Sequence, residues 1–226
     1  MDAIRILITC VATVAAYFIC GIPFGVLVSA RMAGIDVRKE GSGNIGMTNV
    51  ARTVGGKAAG ITFALDVGKG TLCVVLSRLA LMAYGGLGAD DLMPGGAFDW
   101  MPALVFLGCV YGHIFSPYLH FRGGKGISVG LGGALGFCWQ AGLEAFAAFL
   151  AIAIPTGYIS LGSLVAAATI PVFGMLNGLS VRGVIPVVIV GATVIWSHRE
   201  NIGRLLRGEE SRFSIRGKGK GDGDKR

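Results

Sequence analysis

From Ala145 to Val181 the chain runs without a charged residue. Wound as one helix, that run would extend roughly 55 Å, far beyond the ~30 Å hydrocarbon thickness of a bilayer. It must fold back on itself, and Pro155-Thr156-Gly157 is the natural break, since proline lacks the N–H that a helix interior requires. Ile6 to Ala30 is a second uncharged run, of twenty-five residues. Charged residues make up 15% of the chain against 53% hydrophobic, whereas soluble domains carry about a quarter charged residues. With a mean hydropathy of +0.68, the chain is expected to form an all-α, polytopic membrane helix bundle.

Further apolar runs cover about Gly70–Leu87 (with Arg78 inside), Met101–His120, Ile127–Leu143 and Val184–Ser197. The Ile6–Ala30 run is too long for a signal-peptide core and follows one basic residue, so it reads as a retained first span. Basic residues gather in Arg31–Lys57, in Arg122–Lys125 and in the tail, where nine of the twenty lie from His198 onward. Such asymmetry reports orientation, with basic loops inside, and gives no reason to expect nucleic acid. The Leu87–Trp100 connection holds Asp90, Asp91 and Asp99 without Lys or Arg and suits the outside. Parity then allows five or seven spans. Seven is the expectation, with the N-terminus outside and the C-terminus cytoplasmic. Residues 1–210 form the membrane domain, and the basic, Gly/Lys-rich residues 211–226 should be a disordered cytoplasmic tail.

Three polar segments carry chemistry. Gly41-Ser42-Gly43-Asn44-Ile45-Gly46-Met47-Thr48-Asn49, followed by Arg52, offers glycine N–H groups, a hydroxyl, carboxamides and a guanidinium with no acid before Lys57. That set suits an anion. His120-Phe121-Arg122-Gly123-Gly124-Lys125-Gly126 opens the run at Ile127, and a Gly-rich turn with Lys at a helix start suits phosphate. No G-x-x-x-x-G-K-[ST] occurs, so nucleotide use is unsupported. In the third segment, His198 to Glu210, helical spacing puts His198, Asn201 and Leu205 on one face. Ser160 and Ser163 most simply bond their own helix backbone, His113 reads as structural or supporting, and Asp66 with Lys69 as a local ion pair. Cys10, Cys20, Cys73, Cys109 and Cys138 read as small packing residues, since no metal-ligand spacing occurs.

The motifs GSGNIGMTN-x-x-R, H-F-R-GGKG and HREN-I-x-RLL-x-G-E, in this order, resemble those of the bacterial membrane acyl-phosphate:glycerol-3-phosphate acyltransferases. The similarity runs from the first span to about Glu210. It implies transfer of a fatty acyl group from acyl phosphate to the 1-hydroxyl of glycerol 3-phosphate, giving lysophosphatidic acid and phosphate, the first acylation of phospholipid synthesis. It also implies a multi-pass protein of the bacterial cytoplasmic (inner) membrane with its site on the cytoplasmic face. Catalytic roles fall on Ser42, Arg52, Lys125, His198 and Asn201. Substrate binding falls on Asn44, Thr48, Asn49, Gly123, Gly124, Gly126 and Ser163, with Ser160 as the alternative serine. Met47 stands where the family usually has Ala. No cofactor or metal is expected. The partners implied are the two substrates, the lipid bilayer and transiently the soluble enzyme that makes acyl phosphate.

No histidine has an acid five residues on, so the His-x4-Asp dyad of other acyltransferases is absent. Direct transfer governed by orientation and electrostatics is therefore the expected mechanism, with an acyl-enzyme on Ser42 as its competitor. The readings from other classes are an organic-phosphate transporter and a membrane scaffold. A transporter would show paired repeats or a trail of ionisable groups through the spans, and the sequence offers only Arg78.

Overall fold

Each apolar run becomes helix, because only intra-segment hydrogen bonds satisfy a backbone that water cannot reach. The computed structural model describes residues 1–212, so the Gly/Lys-rich tail expected at 211–226 lies almost wholly outside the described residues. The elements are α1 (Asp2–Gly21), α2 (Phe24–Ala33), α3 (Met47–Thr53), α4 (Gly56–Gly85), α5 (Trp100–Ile114), α6 (Ile127–Phe137), α7 (Trp139–Thr156), α8 (Ile159–Leu176), α9 (Val181–Ser197) and α10 (Arg199–Leu206).

Among the described residues, five segments are long and apolar enough to cross a membrane: α1 with α2, α4, Trp100–Leu119, α7 and α8. A sixth appears if α9 and α10, bent by 55° at their junction, count as one, while α6 is shorter. This is a multi-pass membrane bundle. The break expected at Pro155–Gly157 is present, with α7 ending at Thr156 and Gly157 left-handed at φ 73°. Three boundaries differ from the sequence reading. The first run breaks at Ile22–Pro23, where proline withholds a helical N–H. The second helix starts fourteen residues earlier than Gly70, at Gly56, because its charges at Asp66 and Lys69 are paired rather than excluded. The Ile127–Leu143 run is two helices. Cys138 leaves helical conformation at φ −148°, ψ 81°, and α7 turns back so that Gly142 packs on Ala134.

The bundle is apolar outside and tightly packed inside. Leu7, Val11, Val14 and Phe18 form an exposed stripe along α1, at helical spacing and suited to lipid. Inward, small residues let backbones touch, as membrane helix packing requires. A Cβ at Gly112 would lie 2.0 Å from the Tyr17 carbonyl oxygen, joining α5 to α1, and one at Gly132 would lie 2.0 Å from the Val67 oxygen, joining α6 to α4.

The two ends of the bundle differ. At one, the α4–α5 connection is sealed by internal bonds. Asp99 accepts from the Ser180 N–H (2.7 Å), the Gly95 N–H (3.2 Å) and the Ser180 hydroxyl (2.5 Å), and Arg5 Nε donates to the Gly85 carbonyl (2.8 Å). At the other end, where α5 and α9 finish and α6 begins, the three polar segments meet.

Candidate active site

The Gly41–Asn49 loop is built around one side chain. Asn49, on the first turn of α3 and 2% exposed, accepts from the Ser42 N–H at 3.0 Å and donates to the carbonyls of Val37 (3.1 Å), Glu40 (3.0 Å) and Asn44 (2.9 Å). Asn44 accepts from the Gly46 N–H at 2.8 Å, a local turn typical of Asn. Gly41 is left-handed (φ 58°), and a Cβ there would meet Asn49 Oδ1 at 2.3 Å. Asn49 therefore shapes the loop and has no donor left for a ligand. Ser42 and Arg52 stay exposed, and both border a cavity with Asn44, Met47 and Thr48.

The second segment uses its glycines differently. His120 and Phe121 hold left-handed φ values of 50° and 62°, a strained entry that the surroundings must fix. Gly123 N–H then donates to the Ile114 carbonyl at 2.9 Å, and Gly124 N–H to the His113 carbonyl at 3.0 Å. A Cβ at Gly123 would sit 1.9 Å from the His113 carbonyl oxygen, and one at Gly124 2.2 Å from His113 Nε2. These two N–H groups are thus committed to the end of α5, and neither residue borders the cavity. Lys125 and Gly126 do border it. The expected open cradle of glycine amides is replaced by a clamped turn that presents one ammonium.

The third segment supplies the opposite wall. His198 and Asn201 are 2% and 5% exposed. The His198 Nδ1 lies 2.8 Å from the Val194 carbonyl, which places the proton on Nδ1 and leaves Nε2 as the free acceptor of a neutral ring. Lys125 Nζ donates to Asn201 Oδ1. Asn201 Nδ2 donates to Glu210 Oε1 at 2.7 Å, and Arg204 Nε to Glu210 Oε2 at 2.7 Å. Burial pushes the Lys125 ammonium down to about 8, the Arg204 charge adds to that, and Glu210 opposes it. Burial pulls Glu210 upward, but the hydrogen bonds from Arg204 and Asn201 outweigh it and hold the carboxyl below its ordinary value.

Around these groups lies one cavity of about 440 Å³. Its polar mouth joins Ser42, Asn44, Thr48, Arg52, Lys125, His198 and Asn201, so ten of the twelve expected site residues border it, Asn49, Gly126 and Ser163 included. Ser160 also borders it, and the Ser163 hydroxyl bonds back to the Ile159 carbonyl at 2.9 Å. Below the mouth an apolar arm runs between α6, α7, α8 and α9, past Leu131, Ala134, Phe146, Phe149, Ile170 and Val190. Cationic and neutral donors above a dry arm can hold a phosphate on a lipid-like tail. Four ionisable lining residues escaped the sequence reading as site members: Arg204, Glu210, Asp66 and His113. Arg204 lay inside the third motif. Glu210 was indistinguishable from Glu209, which pairs with Arg207 at the surface instead.

Cys20, Cys73 and Cys109, from three helices, bring their sulfurs within 4.8 Å of one another. All three belong to the main apolar core, away from the cavity, where thiols act as compact packing groups.

A family model described as glycerol-3-phosphate acyltransferase matches residues 10–208. Among curated relatives, the glycerol-3-phosphate acyltransferase of Trichlorobacter lovleyi is 40% identical over 198 residues, covering 88% of this chain and 94% of its own length. That of Synechococcus sp. (strain CC9902) is 38% identical over 202 residues, covering 89% and 94%. The crystal structure of PlsY (YgiH), an integral membrane glycerol 3-phosphate acyltransferase, in its glycerol 3-phosphate form superposes with a TM-score of 0.78 at 32% identity, covering 91% of this chain and 96% of that one. Its lysophosphatidic acid form gives 0.77.

Proposed function

The chain belongs to the glycerol-3-phosphate acyltransferase family, and from that premise we propose that it moves a fatty acyl group from acyl phosphate to the 1-hydroxyl of glycerol 3-phosphate. Acylation of glycerol 3-phosphate is the activity of the family, and this chain is such an enzyme. The observation that carries the acyl-phosphate reading is one cavity with Arg52, Lys125 and Arg204 at its mouth and an apolar arm beneath.

Both substrates carry phosphate, and Arg52 and Lys125 neutralise those charges and the charge that develops on the acyl oxygen and departing phosphate. Asn201 and the free Nε2 of His198 orient the acceptor, Ser42 sits beside the reacting carbonyl, and the apolar arm with Ser163 on its wall receives the acyl chain. Transfer is direct: the acceptor oxygen forms the ester, the acyl–phosphate bond breaks, and the departing phosphate takes the proton.

Counting both the α9–α10 pair and the short α6 as crossings gives seven spans, with the N-terminus outside and the cavity on the cytoplasmic face of the bacterial inner membrane. There it can receive acyl phosphate from the soluble enzyme that makes it. The test offers purified protein acyl phosphate, acyl-CoA and acyl carrier protein in turn, with glycerol 3-phosphate as acceptor. Lysophosphatidic acid formed from acyl phosphate alone supports the reading, and formation only from acyl-CoA refutes it. A labelled acyl-serine trapped by rapid quench would refute direct transfer in favour of an acyl-enzyme on Ser42.

A further inference from the structure

Three ionisable side chains, Asp66, Lys69 and His113, lie deep in the bundle at 1%, 6% and 4% exposure. Lys69 Nζ stands 2.7 Å from Asp66 Oδ1 and 3.3 Å from His113 Nδ1. The same ammonium donates to the Ile22 carbonyl at 2.8 Å and lies over the Phe24 ring at 5.2 Å. It thus closes the α1–α2 break that Pro23 leaves open. Nearby, the Ser116 hydroxyl donates to the Gly21 carbonyl at 2.6 Å, and Tyr17 to the Phe115 carbonyl at 2.7 Å.

Burying such a cluster is costly, and an apolar trio of equal volume would hold helices together as well. Its position supplies the reason for keeping it. His113 is the surface against which the glycine turn is cast. Its carbonyl accepts from Gly124, its Nε2 fills the space where a Gly124 Cβ would go, and the next carbonyl, Ile114, accepts from Gly123. One residue further on is Lys125. Asp66 and His113 also border the cavity, so cluster and turn share a wall with the site.

We propose that Asp66, Lys69 and His113 form a buried positioning unit that fixes the Gly123–Gly124 turn and so sets where the Lys125 ammonium stands in the cavity. Asp66 holds Lys69, Lys69 holds the His113 ring through Nδ1, and the far side of that ring carries the turn. The inference deepens the acyl-transfer reading of this cavity and rests on it for its kinetic consequence, though not for its structural one. None of the three is a catalytic residue.

The test uses full-length protein purified in detergent and two readouts. The first is the rate at which an amine-reactive reagent labels Lys125, followed by peptide mass spectrometry, which needs no enzymatic activity. His113→Asn keeps a partner for Lys69 near the Nδ1 position but removes the ring edge beneath Gly124, so Lys125 labelling should change severalfold. His113→Gln, which reaches the turn again, should return part of the way to wild type. The second readout is acyl transfer. His113→Asn should depress the same kinetic parameter as Lys125→Ala, by about tenfold to a hundredfold as expected for a displaced group, and should add little when the two are combined.

Where Asp66→Asn alone fails to fold, since it strands the Lys69 charge, Asp66→Asn/Lys69→Met removes both charges and should still change Lys125 labelling. Wild-type labelling of Lys125 in folded His113→Asn and in the folded double variant would overturn the proposal, as would additivity of His113→Asn with Lys125→Ala. If wild type transfers no acyl group while labelling still depends on His113, the unit stands and the acyltransferase reading falls.

Discussion

The two glycine-rich segments look alike as sequence, and the structure builds them on opposite plans. In the Gly41–Asn49 loop the organiser is internal: one carboxamide, Asn49, ties Ser42 and Asn44 of its own loop to the Val37 and Glu40 carbonyls just before it and leaves Ser42 and Arg52 facing the cavity. In the Gly123–Gly126 turn the organiser is external: the end of α5 takes both glycine N–H groups and leaves only Lys125 and Gly126 at the cavity. A glycine beside a phosphate-suited lysine can therefore serve close backbone packing rather than anion contact. The first loop offers neutral donors with a planar guanidinium fork, and the second offers one movable point charge that burial brings to about 8.

The largest effect separates these contributions. Lys125→Ala should lower kcat/KM by about 10²–10³-fold, the size seen when one preorganised charge donor is lost. Ser42→Ala should leave more activity, because direct transfer needs the hydroxyl for orientation alone. Equal losses would erase the contrast between the loops. Asn49→Ala comes next. It strands the Ser42 N–H and three carbonyls and should destabilise the loop by about 1–3 kcal/mol. Amide exchange should accelerate over residues 40–46 while the 120–126 turn stays protected.

Much of this is legible in the sequence. The run from Ala145 to Val181 had to turn at Pro155, and it does. Ten of the twelve residues named from the sequence border the cavity, because each motif is local and polar residues this dense in an apolar chain have few other uses. What could not be read depends on long-range contact. Asp66 and Lys69 form the expected pair, but their shared partner His113 lies on another helix, forty-four residues from Lys69. The division of Ile127–Leu143 at Cys138 carries no proline or left-handed glycine to announce it. Likewise, only tertiary packing tells Glu210, bound to Asn201 and Arg204, from its surface neighbour Glu209.

The glycines of the second segment allow a finer test, smaller in its effect on turnover. Gly123→Ala and Gly124→Ala should both lower the thermal midpoint, since each Cβ would enter occupied space. The obstruction differs in kind: backbone carbonyl for Gly123, side-chain ring for Gly124. Shrinking the ring with His113→Asn should therefore recover the midpoint of Gly124→Ala and leave that of Gly123→Ala low. Recovery of both, or of neither, would show that the turn is not cast against His113.

The smallest effect is a pH dependence, and it distinguishes the two loops by their cations. With burial holding Lys125 at about 8, the ammonium predominates below that pH and is lost above it. Acyl transfer should fall on the alkaline side, by about tenfold one unit above the midpoint. Stability should move the other way. A lysine whose folded pKa lies below its unfolded value binds fewer protons when folded, so its contribution to stability rises with pH between about 8 and the ordinary lysine value of 10.5. Lys125→Arg should thus remove the alkaline fall in whatever activity it retains, with the first loop's cation unchanged. A limb that persists in Lys125→Arg would assign the titration elsewhere and leave the second segment's ammonium without the role that sets it apart from the first.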